Sequence, residues 1–382
     1  MRIILYTNIL TPYRKYFFDV FYEKCKKQNI DFIVLIMAES ESNRNWSYDD
    51  YKAEYTDLLA HKTFSYKNIF IHYNPTLKKK IEELKPSIVI CAGSYLCPGI
   101  YRILKMSDKF NYKTYFWSES HLNEIRDYSF IKIKLRDILR KKIYEKFDGF
   151  WYAGKLSLEF IEKYADIDCK KIFVPNIVDN KIFDYHNFSS DKKKDILKKY
   201  NLDNCKITFI CPARLTYVKG IDKFLDLIST SKLSSKITIL LPGSGELEDV
   251  IRDKAINYNI DIRILGFLNQ KEVAKLYAIS DFFLMPSLSD PNPLTCIEAL
   301  WEGLPLLVSE HVGNCKEVVC ENLNGFIFDY KDSKKMDFIL SKIIAWSKND
   351  YANAKKYSYN LAKTTYMSEN VVDRICSEMG EG

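Results

Sequence analysis

Asp290 and Glu298 are the residues of this chain whose types and spacing most clearly suggest chemistry. Asp290 lies in a proline-rich loop, and Glu298 lies inside a predicted helix. We expect Asn292 to be the N-cap residue of that helix and Pro293 to be its first residue, because a proline there loses no hydrogen bond. The two carboxylates are therefore predicted to lie on either side of a helix N-terminus.

The helix N-terminus between these carboxylates is predicted to bind a phosphate. The backbone N–H groups of Leu294 and Thr295 have no partner within the helix, and the helix dipole favours an anion there. Glu298 lies about one turn further on and can reach a hydroxyl group of the molecule that carries the phosphate. This arrangement suits a sugar nucleotide.

Two cations, Arg214 and Lys219, follow the predicted strand 206–211 and precede a helix predicted from Gly220. A guanidinium group can bind a phosphate with two hydrogen bonds, whereas an ammonium group acts as a point charge. Either residue alone would be interpreted as an ordinary solvated cation. Together with the Asp290–Glu298 segment, they favour a diphosphate site.

Several motifs in this half of the chain resemble the donor-binding half of the GT4-type glycosyltransferases. In chain order they are Arg214 with Lys219-Gly220, Pro242-Gly243-Ser244-Gly245-Glu246, Gly266-Phe267, Ala278-Ile279-Ser280-Asp281 with Pro286-Ser287, Asp290 with Glu298-Ala299, and Gly303-Leu304-Pro305. The resemblance runs from about Lys206 to Phe328. In the first half, residues 7–14 resemble the opening loop of a subgroup acting on cell-surface polysaccharides, and residues 174–179 resemble the interdomain junction of the family.

The resemblance implies a role for each matching residue. Arg214 and Lys219 would bind the donor diphosphate, and Glu298 would hold the nucleotide ribose. Asp290 would lie at the donor sugar, where the family usually has glutamate. The family often has Phe-Gly shortly after this acid, whereas this chain has Asn292-Pro293, so we expect a stiffer loop and a different sugar pocket.

The glycine-rich segment 243–245 follows a strand and precedes a helix, as a dinucleotide fingerprint does. Glu248 stands where the third glycine would be, and no acid ends the next strand, so we do not expect nicotinamide binding. We interpret Gly243 and Gly245 as allowing the backbone to approach the nucleotide, and a simple tight turn is the alternative. The remaining residues predicted to bind the donor in this half are Leu294, Thr295 with its hydroxyl group, Gly266 and Phe267.

Polar residues follow a predicted strand of the first half at 113–117. Glu119 or His121 could contact the donor sugar or the acceptor hydroxyl. Helix capping by Ser118 or Ser120 is the alternative explanation for the polar residues here. Separately, the opening-loop arginine at position 14 (Arg14) could meet donor phosphates or an acceptor phosphate, or it could be a surface residue.

Short apolar strands alternate with helical stretches in both halves, which predicts parallel sheets covered on both faces. With the resemblance, the predicted fold class is α/β, a GT-B fold of two Rossmann-like parallel-sheet domains facing each other across a cleft. The predicted domains are an acceptor-side domain at 1–184, a nucleotide-sugar-binding domain at 185–365, and a C-terminal helix at 366–382 that crosses back to the N-terminal domain. The charged segment 179–201 is predicted to be a linker.

Residues 131–147 are predicted to form a basic amphipathic helix. Its apolar residues are Ile131, Leu135, Ile138, Leu139, Ile143 and Phe147, and between them lie Lys132, Lys134, Arg136, Arg140, Lys141, Lys142 and Lys146. Such a helix can pack its apolar residues on the core and expose its charges, which is the interpretation we favour. Alternatively, its basic face can rest on an anionic membrane surface.

The composition narrows the function classes. The net charge of +7 is modest for 382 residues and does not indicate a nucleic-acid partner. Ten cysteines without a Cys-x-x-Cys pair favour free thiols, and five histidines argue against a multi-histidine metal site. The opening residues turn polar too soon for a signal peptide and the sequence contains no long apolar run, so we expect a cytoplasmic protein, either free or peripheral at the inner face of the cell membrane.

The predicted activity is a retaining glycosyl transfer that needs neither a metal nor a cofactor. The donor would be a nucleoside-diphosphate sugar, and the acceptor a hydroxyl group of a glycan or of an undecaprenyl-linked glycan in surface polysaccharide biosynthesis. One alternative is a non-catalytic sugar-nucleotide-binding protein, which would be expected to have lost Arg214, Lys219 or Glu298. The other is a GT-B sugar-nucleotide epimerase, which would need no acceptor.

Overall fold

The computed structural model describes residues 1–41, 47–66, 69–123, 130–202 and 206–380. They form two compact units. The described part of the first unit is drawn from Met1–Ser120, Asp127–Pro175 and Ser368–Gly382, and that of the second from His121–Arg126 and Asn176–Met367.

The first unit is built on a parallel sheet. Its strands, with those of a separate antiparallel hairpin (β4 and β5), are β1 Arg2–Thr7, β2 Asp31–Ile36, β3 Thr56–Leu58, β4 Lys62–Tyr66, β5 Ile69–Tyr73, β6 Ile88–Ala92, β7 Lys113–Ser118, β8 Gly149–Tyr152 and β9 Lys170–Phe173. The order in the sheet is β3-β2-β1-β6-β7-β8-β9. Strands such as β6 are buried along their whole length, because helices cover both faces of a parallel sheet.

Helices join the strands of the first unit. They are α1 Pro12–Lys27, α2 Tyr48–Tyr51, α3 Leu77–Leu84, α4 Pro98–Phe110, α5 Phe130–Tyr144 and α6 Lys155–Glu162. Helix α1 begins after Thr11 with a proline at its first position, and its buried face is aromatic. That face carries Phe17, Phe18 and Phe21, which make tilted or edge-to-face contacts with Phe32, Trp117 and Trp151.

Helix α5 presents a different face to the core from the one predicted. Leu135, Ile138 and Leu139 are exposed, so the favoured interpretation, in which the apolar residues face the core, is wrong at these three positions. Arg140 is buried instead, with its guanidinium carbon 4.7 to 5.0 Å from the ring centres of three aromatic residues, Tyr95, Phe160 and Tyr164. Cation–π contacts with these rings fix the rotation of the helix.

The remaining predicted positions of this helix behave in different ways. Ile143 packs against the core at the C-terminal end of α5, and Phe147 is buried just beyond it. The side chains of Ile131 and Lys132 lie outside the described residues.

The second unit is built on another parallel sheet. Its strands are β10 Ile207–Ile210, β11 Ile237–Pro242, β12 Asp261–Gly266, β13 Phe282–Met285, β14 Leu306–Ser309 and β15 Gly325–Phe328, in the order β12-β11-β10-β13-β14-β15. Strand β10 pairs with β11 on one side and with β13 on the other. The chain reverses its direction of strand addition between β10 and β13, and ligands of open α/β sheets bind outside the carboxyl ends of the strands at such a point.

Helices also cover the sheet of the second unit. They are α7 Ser190–Lys199, α8 Ile221–Ile228, α9 Glu248–Asn257, α10 Gln270–Ile279, α11 Leu294–Trp301, α12 Cys315–Val318, α13 Ser333–Ala345 and α14 Lys348–Thr365. The prediction of a linker at 179–201 is wrong over α7, which Ser189 caps by accepting a hydrogen bond from the N–H of Lys192. The lysines that resembled a solvated linker lie on this helix. None of its residues is fully buried, and it contacts the rest of the protein through partly buried positions.

The last helix, α15 (Ser368–Gly380), belongs to the first unit and packs against α1. The Nζ atom of Lys24 lies 2.5 Å from the Oδ1 atom of Asp373, and the hydroxyl groups of Tyr16 and Ser368 are 3.1 Å apart.

Within the described part of the chain, no helix is both apolar and long enough to span a bilayer. The described cysteines are free thiols, most of them buried.

Candidate active site

The loop after β10 is tied to the loop after β13. Gly220 follows a 3-10 turn at Tyr217–Lys219 and has a φ of 65°, a left-handed conformation that favours glycine. A Cβ atom at this position would lie 2.2 Å from the carbonyl oxygen of Pro286. The hydroxyl group of Tyr330 lies within hydrogen-bond distance of the carbonyl oxygens of both Gly220 and Pro286. The close approach of these two loops brings Lys219 to the second loop.

Lys219 forms an ion pair with Asp290. The Nζ atom of Lys219 lies 2.5 Å from the Oδ2 atom of Asp290, and both side chains are largely buried. The two residues are far apart in the sequence, and each was predicted separately to contact a different part of one ligand. Their direct contact was not predicted, since it depends on the pairing of β10 with β13.

Arg214 lies on the same edge of the sheet and is exposed. No carboxylate among the described residues pairs with its guanidinium group, so its charge is available to a ligand. The N–H of the next residue, Leu215, donates to the carbonyl oxygen of Ser244, and the N–H of Leu247 donates to the carbonyl oxygen of Leu215. The glycine-rich loop after β11 therefore supports the loop that carries Arg214.

The two glycines of this supporting loop are required by the chain itself. A Cβ atom on Gly243 would lie 1.9 Å from the carbonyl oxygen of Ala213, and one on Gly245 would lie 2.4 Å from that of Leu215. Their missing side chains thus face the neighbouring loop. The predicted contact of this backbone with a nucleotide stays a prediction. Of the remaining predicted pair, Gly266 has a φ of 71° and ends β12, and Phe267 after it is exposed.

Helix α11 begins one residue later than predicted. Pro293 is the N-cap residue, with an extended ψ of 126°, and Leu294 is the first helical residue. The assignment of Asn292 as the N-cap is wrong because two asparagine side chains hold the preceding backbone. The Asn176 amide donates to the carbonyl oxygen of Asn292, and the Asn314 amide donates to that of Pro293.

The shift still leaves the amides of Leu294 and Thr295 at the start of α11, where N–H groups lack partners within the helix. The hydroxyl group of Thr295 lies 3.9 Å from the sulfur of Met285. This contact is a weak hydrogen bond, so the hydroxyl group is held only loosely.

Glu298 is buried on α11 beneath this N-terminus. Its Oε2 atom accepts a hydrogen bond of 2.9 Å from the hydroxyl group of Tyr277, a buried residue of α10. Burial raises the pKa of Glu298 to about 7, although the hydrogen bond from Tyr277 lowers it. Tyr277 was not predicted as a site residue, since an aromatic residue on an apolar helix is usually part of the core. A buried tyrosine hydroxyl group needs a hydrogen-bond partner, and this requirement could have pointed to Tyr277.

His121 belongs to the second unit and is buried beside the loop after β14. Its Cδ2 atom would lie 3.1 Å from a Cβ atom on Gly313, whose N–H donates to the carbonyl oxygen of Asp290. A Cβ atom there would also come within 1.7 Å of the carbonyl oxygen of Pro291, so Gly313 permits this close packing. The structure thus places His121 next to the backbone that carries Asp290.

Glu119 belongs to the first unit, where it pairs with Arg14. The Nη2 atom of Arg14 lies 3.2 Å from the Oε2 atom of Glu119, and its guanidinium carbon lies 3.8 Å from the ring centre of Trp117. Arg14 is therefore not the solvated surface residue of the alternative interpretation. Capping by Ser118 or Ser120 is also wrong, since the described residues that follow them, 119–123, are not helical.

Comparison with known proteins agrees with the motifs of the second half. Residues 192–363 match the family described as "Glycosyl transferases group 1". An uncharacterized glycosyltransferase of Methanocaldococcus jannaschii is 27% identical over 192 residues, which make up 47% of this chain and 48% of that protein. Alpha-monoglucosyldiacylglycerol synthase of Streptococcus pneumoniae is 22% identical over 251 residues, 64% of this chain and 55% of the synthase.

A third relative is the amylovoran biosynthesis glycosyltransferase AmsK of Erwinia amylovora, 28% identical over 142 residues, which make up 34% of each protein. The chain thus spans between a third and just over half of the length of these three relatives. Residues 192–363 of the second half therefore resemble a group 1 glycosyltransferase region, and the finer GT4-type resemblance stays a prediction.

Solved structures share the fold along the whole chain. Anabaena HepE in complex with UDP has a TM-score of 0.76 at 13% identity, and the likeness covers 100% of both chains. Sucrose-phosphate synthase of Thermosynechococcus elongatus has a TM-score of 0.74 at 13% identity, covering 100% of this chain and 99% of the synthase. The protein has the GT-B fold, and the predicted fold class of two parallel-sheet α/β domains is confirmed.

Proposed function

We propose that this protein is a retaining glycosyltransferase that moves a sugar from a nucleoside-diphosphate donor to a hydroxyl group of an acceptor. The observation that carries the proposal is the group formed by Lys219, Asp290 and the start of α11 at the strand-reversal point of the second sheet. Arg214 adds an exposed cation on the same edge, with which no carboxylate of the described residues pairs. The family match over this region and the complex of Anabaena HepE with UDP support a nucleotide-sugar donor.

Each group has a role in the proposed reaction. The acceptor oxygen forms a bond to the anomeric carbon of the donor sugar while the bond from that carbon to the diphosphate breaks. The proton of the acceptor hydroxyl passes to the departing diphosphate. Arg214, Lys219 and the N–H groups of Leu294 and Thr295 stabilise the negative charge that accumulates there. Asp290 orients the sugar, and Glu298 holds the ribose.

The same cations make a metal unnecessary in this proposal, and no cofactor takes part. Transfer should therefore continue in excess EDTA. The chelator experiment has one complication, because ligand atoms of Glu310, His311 and Asp329 lie within 4.8 Å of one another after β14 and β15. A variant with His311→Ala, assayed with and without EDTA, separates any effect at that cluster from an effect on transfer.

For the acceptor, we propose a glycan or a lipid-linked glycan of surface polysaccharide biosynthesis. The names of two relatives support this choice, since one names amylovoran biosynthesis and the other a glycosylated diacylglycerol. In the first unit, Arg14 and Glu119 lie at the carboxyl ends of β1 and β7 and are the proposed acceptor-side groups. His121 is the proposed contact of the donor sugar because it lies beside the Asp290 loop.

A thermal-shift panel of nucleotides and nucleotide sugars tests the donor site directly. We expect one nucleoside diphosphate and its sugar derivatives to raise the melting temperature, because a ligand that binds only the folded state stabilises it. The corresponding nucleoside should have little effect, since it lacks the diphosphate. If no nucleotide changed the melting temperature, the donor assignment would fail. Product formed from the donor alone, without an acceptor, would favour the epimerase.

Donor affinity should also depend on pH through Glu298. Its pKa of about 7 means that the carboxylate, which can accept hydrogen bonds from both ribose hydroxyl groups, forms as the pH rises through neutrality. We therefore expect the affinity for a nucleotide sugar to increase as the pH rises from roughly 6 to 8. Tyr277→Phe removes the hydrogen bond that lowers this pKa, so the midpoint should move to higher pH.

Calorimetric titration with a nucleotide sugar measures this dependence, because its diphosphate has no proton that titrates in this range. Tyr258→Phe is the matched control, since Tyr258 also donates to a carboxylate, that of Asp226, but lies away from α11. An affinity independent of pH in the native protein, or equal midpoints in native and Tyr277→Phe proteins, would contradict the ribose role of Glu298.

A further inference from the structure

Helix α5 carries an exposed aliphatic surface. Leu135, Ile138 and Leu139 are 67%, 53% and 42% exposed, and their spacing places them side by side on one face of the helix. Single exposed aliphatic residues are common, but a contiguous group usually marks a binding surface. The buried Arg140 on the opposite face fixes this orientation through its aromatic contacts, so the aliphatic face cannot simply turn inward.

Lysines surround the aliphatic residues. Lys134, Lys141 and Lys142 are exposed on the same helix. The single acidic residue of α5, Asp137, faces the protein, where it accepts a hydrogen bond of 2.8 Å from Tyr164 and lies 3.7 Å from Lys163. Outside the helix, Glu145 pairs with Lys141 at 3.8 Å. The outward face is therefore aliphatic and positively charged.

We propose that this face of α5, formed by Leu135, Ile138, Leu139, Lys134, Lys141 and Lys142, binds the surface of an anionic lipid bilayer. The aliphatic side chains enter the boundary between headgroups and acyl chains, and the lysines contact anionic headgroups. This differs from the sequence-based alternative, in which only the basic face touches the membrane. Because this face is positively charged, it favours an anionic bilayer over a neutral bilayer and over a protein surface that lacks acidic residues.

The surface deepens the proposed function because it would hold the enzyme where a lipid-linked acceptor is found, but bilayer binding itself does not require transfer activity. The experiment is co-sedimentation of the full chain with two kinds of vesicle. One kind contains phosphatidylcholine alone, and the other contains phosphatidylcholine mixed with phosphatidylglycerol. We expect at least about tenfold stronger binding to the anionic vesicles, weakened by salt.

Two pairs of variants separate the aliphatic and the electrostatic contributions. Leu135→Gln with Ile138→Gln should weaken binding by about tenfold or more, since two aliphatic side chains no longer enter the bilayer. The control is Ile256→Gln on α9, where the aliphatic residue is 77% exposed. Lys141→Gln with Lys142→Gln should remove the preference for anionic vesicles.

The charge control is Lys78→Gln with Lys79→Gln on α3, two adjacent exposed lysines that each have a glutamate one turn away, as Lys141 has. All these substitutions are at exposed positions, so the melting temperature of each variant should equal that of the native protein. Measuring it shows whether a variant that has lost vesicle binding is still folded. Equal binding to neutral and anionic vesicles, or undiminished binding by the Leu135→Gln, Ile138→Gln protein, would overturn the proposal. Self-association that is lost in this double variant, without vesicle binding, would also overturn it and assign the face to a second copy of the chain.

Transfer to a water-soluble acceptor distinguishes this proposal from the enzymatic one. The α5 variants should retain that activity while they lose vesicle binding. If native protein binds vesicles but transfers no sugar, the proposed function fails and the membrane surface stands.

Discussion

Replacing Lys219 with alanine is expected to reduce the turnover of sugar transfer by about two to three orders of magnitude. The ammonium group lies at the strand-reversal point of the second sheet, beside the N-terminus of α11. Its loss removes a fixed charge from the proposed diphosphate site, where the leaving group would become more negative. Steady-state kinetics with a saturating nucleotide sugar measure the effect on turnover separately from the effect on donor affinity.

Lys223→Ala is the control for this experiment. Lys223 lies one turn further on in α8, is exposed, and is 3.9 Å from Asp226, so its loss should leave turnover unchanged. Arg214→Ala should reduce turnover comparably to Lys219→Ala without lowering the melting temperature, since no described carboxylate depends on that guanidinium group. Unchanged transfer by both the Arg214 and Lys219 variants would refute the diphosphate assignment.

The ion pair with Asp290 requires a second comparison. Lys219→Ala leaves a largely buried carboxylate without its partner, which could by itself disturb the site. Adding Asp290→Asn removes that unpaired charge. If the double variant turned over as fast as the single Asp290→Asn variant, Lys219 would serve only to neutralise Asp290, whereas a further loss relative to that single variant assigns Lys219 to the donor.

Gly220→Ala is expected to lower the free energy of unfolding by roughly 3 kcal/mol or more, because backbone would have to move. The new Cβ atom would lie 2.2 Å from the carbonyl oxygen of Pro286 and 2.7 Å from the hydroxyl group of Tyr330. Relief of this clash separates the loops after β10 and β13, so donor affinity should fall as well. Denaturant unfolding measures the stability, and calorimetry measures the affinity.

Gly266→Ala provides a matched comparison for the steric part of this effect. Gly266 has nearly the same backbone conformation, with a φ of 71°, but a Cβ atom there meets nothing within 4 Å. We expect only the conformational cost of a left-handed residue, about 1 kcal/mol. Equal destabilisation by the two substitutions would mean that the contact between the loops does not contribute to stability.

Much of the architecture could be predicted because it is encoded locally. Continuous apolar strands such as β6 and β11 predict parallel sheets, since only a sheet covered on both faces can bury every side chain of a strand. The loops that carry Arg214 and Asp290 follow two such strands, so their place at the carboxyl edge follows from the strand pattern. The position of these loops at one edge of the sheet was therefore predictable from residue types and order, whereas their binding of a diphosphate stays a prediction.

The errors have a common cause. The apolar spacing of α5 did not reveal which face meets the core, because the aromatic cage around Arg140 comes from Tyr95 and two residues of a later segment. The burial of Glu302 also could not be predicted, because it depends on the residues that pack around this side chain. It is buried, neither carboxylate oxygen has a hydrogen-bond partner in the described part of the chain, and burial raises its pKa to about 8.

The sequence by itself determined the alternation of strands and helices and the chemical groups of the candidate site, because strand burial and loop residue types depend on near neighbours. Only the tertiary structure decided which of these groups meet. The contact of Lys219 with Asp290, the hydrogen bond from Tyr277 to Glu298 and the outward rotation of α5 all join segments that are distant in the chain. Such contacts are fixed by strand order and side-chain packing, which the local pattern of residues does not specify.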